Sequence, residues 1–233
     1  KLFLNKYNIG FAPNLQRATE YARNDFINLL SSDDQMNPTA LEIYSDTIRQ
    51  LWDHKEKLFI VSDIEEFGDN GKTTRLTTKS ASSFARVAYT NKTFSNSRNI
   101  YDTYSGTEAL VDGLSRLSNI GGFCSTVYPR ALWKSVGGYS GVRTISPDTH
   151  FALKVLTKDP LVIHINKPLF RYRIQISDNR ASLTKNVRLQ MDQYLDTLEF
   201  ATKEIFSLTE LNANKIQRMF ITKNCLEKSL SNI

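Results

Sequence analysis

An apolar run that ends in two adjacent carboxylates decides the fold: Phe26-Ile27-Asn28-Leu29-Leu30-Ser31-Ser32-Asp33-Asp34-Gln35-Met36-Asn37-Pro38. Residues 26–30 have the length and the apolar character of a buried strand. Asn37 followed by Pro38 is typical of a helix start, with Asn37 as N-cap and Pro38 as the first helical residue. The stretch therefore predicts a strand, a short acidic segment at the carboxyl end of that strand, and a helix.

The two carboxylates, Asp33 and Asp34, predict a ligand site. Open α/β sheets bind ligands at the carboxyl ends of their strands. Adjacent carboxylates repel each other unless a cation lies between them, and their oxygens are the ligands that Mg²⁺ or Mn²⁺ prefers alongside substrate phosphates. The alternative is a solvated turn, because Ser and Asp are ordinary turn residues.

Composition places the chain among ordinary globular proteins. Its 233 residues predict one domain with an appendage, or two small ones. The net charge of +6 is mild, and without a recognised motif it argues against nucleic-acid binding. The two cysteines, Cys124 and Cys225, are far apart and fit a reducing compartment. No apolar run approaches the ~20 residues of a membrane span.

Alternating strand and helix patterns follow each other along the chain and predict an α/β body over residues 1–180. The predicted strands are 2–4, 26–30, 58–61, 73–76 (after a hairpin turn at 68–71), 121–128, 161–165 and 169–174. The first predicted helix ends at about Arg23 and has Ala18 on its inner face, and the second covers 38–53 with Leu41 and Trp52 on its inner face. Further helices are predicted over 108–117, over 129–136 and from Ser146-Pro147-Asp148 onward, with Gly137-Gly138 as the cap of the helix over 129–136.

Two regions differ from this body. Residues 77–107 are polar and basic, which predicts a loop that is less ordered than its flanks and closes over substrate, or else a plain solvated insertion. Residues 181–233 predict a helical extension with two amphipathic helices. Their apolar stripes predict packing on each other and against a partner subunit, as in a homo-oligomer, or against a membrane surface.

The order of several short motifs resembles the family-2 inverting glycosyltransferases of the GT-A fold. The resemblance covers about residues 5–175. The matching pieces are Asn8-x-Gly10-x-Ala12-x-Asn14, Ser32-Asp33-Asp34 before Pro38, Gly121-Gly122 with Arg130, Val136-Gly137-Gly138-Tyr139, Asp148 with Phe151, and Tyr172-Arg173.

The resemblance implies a mixed sheet flanked by helices and a metal-dependent transfer of sugar from a nucleotide-sugar donor. Mn²⁺ or Mg²⁺ would bind at Asp33 and Asp34, and the catalytic base would be Asp148. It implies donor binding by Asn8, Gly10, Asn14, Ser32 and Asp33, and acceptor or phosphate binding by Gly121, Gly122, His150, Arg171 and Arg173. The acceptor would be a saccharide or lipid-linked hydroxyl in cell-surface polysaccharide synthesis, and the location cytoplasmic or peripheral at the inner face of the cell membrane.

Three departures support a second hypothesis, a non-catalytic carbohydrate-binding or scaffolding domain. Ser31 stands where the family usually has Asp, and Pro147 where it usually has Glu. The family also begins with a strand, a helix and a second strand that bind nucleotide, and no such segment precedes Lys1 in this sequence.

Asp148 can be weighed without the resemblance. A carboxylate in the first turn of a helix is favoured in its ionised form, ready to accept a proton, but Asp is also common there for stability alone. Among the histidines, His54 is predicted at the surface and His164 in the core, while His150 is close enough to Asp148 in sequence for a substrate contact. Basic residues predominate over 165–190, which indicates either a phosphate site or a solvated basic face.

Overall fold

The computed structural model describes residues 3–77, 101–110, 123–139 and 147–173. These residues form a seven-stranded mixed sheet with helices on both faces, so the predicted α/β fold class is confirmed. Among them, no helix is long and apolar enough to cross a membrane.

Two long parallel strands form the centre of the sheet. Strand β3 (Leu58–Phe67) pairs with β7 (Leu161–Arg173) along its whole length, with irregular register around Asp63. Both strands begin with continuous apolar runs, as expected for strands that are covered on both faces. Leu58, Phe59, Ile60 and Val61 are fully buried.

Short strands flank this pair and complete the sheet. On the β3 side lie β4 (Thr73–Thr77) and β6 (Val127–Pro129), with β1 (Phe26–Asn28) beyond β6. On the β7 side lie β5 (Tyr101–Ser105) and β2 (Gln35–Met36). The hairpin that joins β3 to β4 confirms the predicted turn at 68–71 and its return strand.

Helices cover the two faces of the sheet unequally. One face packs against α1 (Phe11–Tyr21), α3 (Arg130–Ser135), α4 (Pro147–Leu156) and the helical residues 106–110. The other face packs against α2 (Ala40–Gln50), with a 3₁₀ helix over Trp52–Lys57. Alternation along β3 divides the two cores, because Phe59 and Val61 face the first while Leu58 and Ile60 face the second.

The cap after α3 is confirmed, and sterics make it specific to glycine. Gly137 and Gly138 have φ values of 71° and 65°, and both donate to carbonyls of the last turn, on Lys134 and Trp133. A Cβ on Gly138 would lie 2.8 Å from the Trp133 ring and 2.3 Å from Gln16 Oε1. The chain can therefore turn back onto α1 only with glycine at this position.

The strand predicted over 26–30 ends earlier, at Asn28. Its partner β6 is equally short, and the chain before β6 forms a 3₁₀ turn over Phe123–Ser125 instead of a longer strand. Asn28 Nδ2 donates to Cys124 O at 2.7 Å and to Thr126 O at 3.0 Å, and this marks the end of pairing. The glycine-led strand predicted over 121–128 was correspondingly too long.

The helix predicted from Pro38 begins at Ala40. Asn37 Oδ1 accepts hydrogen bonds from Thr39 N and Thr39 Oγ1, so Asn37 makes a side-chain turn ahead of the helix. The buried stripe is formed by Ala40, Tyr44 and Thr47. Leu41 is therefore exposed, and the change to a 3₁₀ helix leaves Trp52 exposed as well.

Other boundaries also differ from the prediction. Residues 3–4 are not a strand, Ala18 is exposed while Thr19 is buried, and 161–173 is one continuous strand. Residues 101–105 were predicted within a loop but form β5, whose Tyr101 and Tyr104 are buried against β7. The remaining predictions over 78–100, 111–122 and 174–233, including both C-terminal helices, lie outside the described residues.

Candidate active site

The two predicted metal ligands lie in a turn between β1 and β2, residues 31–34, here called the carboxylate turn. Asp34 N donates to Ser31 O at 3.3 Å, which closes the turn. Strand β2 then pairs Gln35 with Arg171 and Met36 with Phe170, so the turn is attached to the second half of β7. The sheet edge, rather than the end of β1 itself, positions the carboxylates.

Asp34 is the more buried of the two acids, with 9% of its surface exposed. Its Oδ1 accepts the backbone N–H of Arg173 at 3.1 Å. Its Oδ2 is buried and accepts no N–H or O–H hydrogen bond within the described part of the chain. A buried carboxylate oxygen without a donor is costly in free energy and points to a ligand that completes it.

The surroundings of Asp34 disfavour its charge. Burial raises the pKa of the Asp34 carboxyl and the neighbouring Asp33 adds to the rise, while the Arg173 N–H, the Cys124 thiol and the charge of Arg173 oppose both. The Cys124 thiol lies beside the carboxylate, and burial together with the charge of Asp34 raises the pKa of that thiol. The sequence analysis missed Cys124 because only the fold brings residue 124 under the carboxylate turn.

Arg173 connects the carboxylate turn to the rest of the sheet. Its Nε donates to Asp33 O at 3.2 Å, in addition to the backbone bond to Asp34. Its guanidinium lies 4.8 Å from the centre of the buried Phe67 ring and 4.0 Å from Asp69 Oδ1. Arg173 thus holds the turn with two hydrogen bonds, one to the Asp33 main chain and one to the Asp34 side chain.

Arg171 lies on the same face of β7 and contacts the same ring, at 4.6 Å from Phe67. It donates to Gln35 Oε1 and Gly71 O, both at 2.8 Å, and pairs with Glu65 at 3.4 Å. Both predicted phosphate-binding arginines therefore have protein partners, and their role toward phosphate stays a prediction.

Asp148 begins the helix predicted for the base. Pro147 is the first residue of α4, and the Thr149 N–H donates to the Asp148 carboxylate. Burial raises the pKa of the Asp148 carboxyl, and that N–H opposes the rise. Phe151 fixes the helix from below, with its ring 4.8 Å from Tyr128 and 4.6 Å from Tyr139.

Both acidic groups influence the hydroxyl of Tyr172. Burial raises the pKa of its hydroxyl, and the negative charges of Asp34, Asp148 and Asp33 raise it further. All three carboxylates are therefore within electrostatic reach of this one side chain. The fold brings the carboxylate turn and Asp148 to the same region, although they are far apart in sequence.

The predicted donor-binding asparagines line a separate cleft of about 490 Å³ at the start of α1. Asn8 Oδ1 accepts the Gly10 N–H at 2.9 Å, and Asn14 Oδ1 accepts from Asn5 at 2.8 Å. Gly10 has φ 85°, which favours glycine. The cleft residues are Asn5, Tyr7, Asn8, Ile9, Gly10, Phe11 and Asn14, and none of them belongs to the carboxylate turn.

The oxygen atoms of the carboxylate turn can be compared with the ligands that a hard divalent cation needs. Asp33 and the unpartnered Oδ2 of Asp34 supply carboxylate oxygens, which suit Mg²⁺ or Mn²⁺. Within the described ranges, no group of three or more His, Cys, Asp or Glu side chains is arranged to hold a metal. A cation here would need phosphate oxygens and water to complete its coordination, which is usual for Mg²⁺.

The other predicted residues divide into three kinds. Ser32 is exposed in the carboxylate turn, and His150 is partly buried on α4, two residues after Asp148. His54 is exposed and His164 is buried, as predicted. Gly121 and Gly122 lie outside the described residues.

Comparison with known proteins identifies a fold. No protein-family model and no curated protein sequence matches the chain. A crystal structure of residues 1–349 of S. aureus TarS, a glycosyltransferase, matches with a TM-score of 0.56 and 17% identity over 94% of this chain and 52% of that one. The same TarS fragment in complex with UDP-GlcNAc matches with a TM-score of 0.52 and 14% identity over 89% of this chain and 50% of that one. The chain therefore has the fold of TarS and spans about half the length of the structures it matches.

Proposed function

We propose that the chain transfers a sugar, with inversion, from a nucleotide-sugar donor to a hydroxyl of a saccharide or lipid-linked acceptor. The supporting observation is that the charges of Asp33, Asp34 and Asp148 all raise the pKa of the Tyr172 hydroxyl, so the three carboxylates lie in one region of the fold. Inverting transfer needs a group that receives the leaving diphosphate and, on the opposite side of the sugar, a base for the acceptor. In this proposal the carboxylate turn receives the diphosphate and Asp148 serves the acceptor.

Asp148 is the proposed base. Its carboxylate takes the proton of the acceptor hydroxyl while the hydroxyl oxygen forms a bond to the anomeric carbon. The bond from that carbon to the donor diphosphate breaks, and the electron pair leaves with the diphosphate. The raised pKa of Asp148 supports this role, because a more basic carboxylate accepts the proton more readily.

The carboxylate turn is proposed to receive the diphosphate through Mn²⁺ or Mg²⁺. A divalent cation held by Asp33 and Asp34 would supply positive charge to the departing nucleoside diphosphate. The chain's own part is to hold both acids in place: Arg173 fixes Asp33 O and Asp34 Oδ1 through its side chain and its main chain. The unpartnered Asp34 Oδ2 supports cation binding here.

The cleft at the start of α1 is proposed to bind the nucleoside. Tyr7 and Phe11 are 71% and 58% exposed and offer aromatic faces on which a base can stack. The amides of Asn8 and Asn14 carry both donors and acceptors, which suit the edge of a base. UDP is the nucleotide to try first, because the matching TarS structure contains UDP-GlcNAc.

A non-catalytic carbohydrate-binding role is the second candidate. It is favoured by the Thr149 N–H that donates to Asp148, because this contact alone explains an acid at the start of α4. Under this hypothesis the chain binds sugar but releases no UDP from UDP-GlcNAc. For either candidate, we propose a role in cell-surface polysaccharide synthesis and a location in the cytoplasm or at the inner face of the cell membrane.

Calorimetric titration of UDP with and without Mn²⁺ tests the proposed function. We expect Mn²⁺-dependent UDP binding that Asp33→Asn abolishes without lowering the melting temperature, because Asp33 is proposed to bind the cation and is only partly buried. Asp46→Asn is the matched control, since Asp46 is a surface acid that pairs only with Arg49 at 3.0 Å among the contacts described. Unchanged Mn²⁺-dependent affinity in Asp33→Asn would contradict the metal site.

A further inference from the structure

Tyr172 is the aromatic side chain that lies among the acids of the candidate site. Residues alternate along a strand, so Tyr172 projects to the face opposite Arg171 and Arg173. Those two arginines contact the buried Phe67 ring and the carboxylate turn. Tyr172 remains 43% exposed and is available to a ligand.

The main chain places Tyr172 directly beside Asp34. The Arg173 N–H that donates to Asp34 Oδ1 at 3.1 Å belongs to the peptide bond between Tyr172 and Arg173. On the other side, Asp148 is near enough for its charge to act on the Tyr172 hydroxyl. Tyr172 is therefore beside one of the proposed metal ligands and within electrostatic reach of the proposed base.

The reaction geometry assigns a ligand to that position. In an inverting displacement, the diphosphate leaves on one side of the anomeric carbon and the acceptor oxygen arrives on the other. The transferred sugar must then lie between the carboxylate turn and Asp148. An exposed aromatic ring there offers an apolar face to the C–H face of a pyranose.

We propose that Tyr172 forms the subsite for the transferred sugar and binds its pyranose ring against the aromatic face. This inference rests on the proposed function and adds a part of the donor to it. The nucleoside cleft and the carboxylate turn would hold UDP, while Tyr172 contacts only the sugar. The two parts of the donor are thus separable by experiment.

The test compares UDP with UDP-GlcNAc, both in Mn²⁺, by calorimetric titration of the full chain. We expect Tyr172→Ala to weaken UDP-GlcNAc binding by about 3- to 10-fold relative to UDP, the size of one aromatic contact. Tyr172→Phe keeps the ring and should retain the wild-type ratio of the two affinities, while Tyr172→Leu should behave like alanine. Saturation-transfer NMR should show weaker saturation of the sugar protons relative to the uracil protons in Tyr172→Ala.

The control and the contrary outcomes are distinct. Trp52→Ala removes an aromatic ring of similar exposure, 49%, outside the site and should leave both affinities unchanged. Equal weakening of UDP and UDP-GlcNAc binding in Tyr172→Ala, or no change in either affinity, would overturn the sugar subsite. The proposed function would be unaffected, because it is tested by Mn²⁺-dependent UDP binding to the wild-type chain. Failure of the wild-type chain to bind UDP with Mn²⁺ would overturn the proposed function and the subsite together.

Discussion

Asp34 and Asp63 are both buried carboxylates next to the central strands, yet their surroundings differ. Asp63 lies on β3 with 4% of its surface exposed and accepts the Nε2 proton of His164 on β7 at 3.0 Å. Asp34 has 9% of its surface exposed, and its Oδ2 accepts no N–H or O–H hydrogen bond from the described residues, with only the Cys124 thiol beside the carboxylate. At similar burial, the fold supplies a hydrogen-bond donor to the Asp63 carboxylate but leaves one oxygen of the Asp34 carboxylate without an N–H or O–H donor.

The difference separates structural from ligand-binding acids. Burial by itself does not identify a functional carboxylate, because the fold buries Asp63 and supplies its partner. What distinguishes Asp34 is the missing donor, together with the neighbouring acids Asp33 and Asp148 around Tyr172. Asp148 is an intermediate case, because the N–H groups of Asp148 and Thr149 at the start of its own helix donate to its carboxylate.

The largest expected effect comes from Asp148→Asn. Asparagine keeps the size and the capping ability of aspartate but cannot accept the acceptor proton, so turnover should fall by about 10²–10⁴. Donor affinity should change little, and unfolding free energy by no more than about 1 kcal/mol. Release of UDP from UDP-GlcNAc in the presence of acceptor measures the rate.

A wild-type rate in Asp148→Asn would place Asp148 with Asp63 among the acids that serve the fold. His150, on the same helix, would then be the next residue to test as the base.

Replacing each buried acid tests the comparison itself. Asp63→Ala removes the acceptor of His164 Nε2 inside the core and should lower the unfolding free energy by about 1–3 kcal/mol. Asp34→Asn should instead raise the unfolding free energy at neutral pH. Because the folded pKa of Asp34 is raised, the wild-type fold loses stability as pH rises from the unfolded pKa through the folded one, and the amide removes that loss.

Thermal unfolding of both variants in metal-free buffer, at acid and neutral pH, measures these effects. The gain in stability of Asp34→Asn over wild type should be larger at neutral pH than at acid pH. Equal destabilisation by the two variants at both pH values would show that Asp34 is as structural as Asp63.

The smallest expected effect separates two arginines that both bind main-chain carbonyls around β1. Arg173 Nε donates to Asp33 O, whereas Arg130 donates to Ala22 O and Asn24 O, before the strand begins. Arg173→Met should weaken Mn²⁺ affinity about tenfold by loosening the carboxylate turn, and Arg173→Lys should restore part of it. Arg130→Met should lower the melting temperature without changing Mn²⁺ affinity.

Electron paramagnetic resonance of free Mn²⁺, titrated with each variant, gives the affinities directly. A loss of metal affinity in Arg130→Met equal to that in Arg173→Met would mean that both arginines act only through overall stability.

Sequence reasoning predicted best where local chemistry is strong. The apolar start of β3, its hairpin turn, the glycine pair after α3 and the Pro147-Asp148 start of α4 were all predicted, since each depends on neighbouring residues. Strand β5 was missed because its flanks are polar. Only Tyr101 and Tyr104 indicate a buried side, and they become buried only by pairing with β7.

Local patterns were enough to predict the α/β alternation, the two adjacent acids and a third acid at a helix start. Three further features depend on long-range contacts: β1 ends at Asn28, Arg173 holds the carboxylate turn, and Cys124 lies beside Asp34. The same folding brings Tyr172 within electrostatic reach of both Asp34 and Asp148. The physical reason is range: periodicity and caps act within a few residues, whereas these contacts join residues that become neighbours only when the sheet has formed.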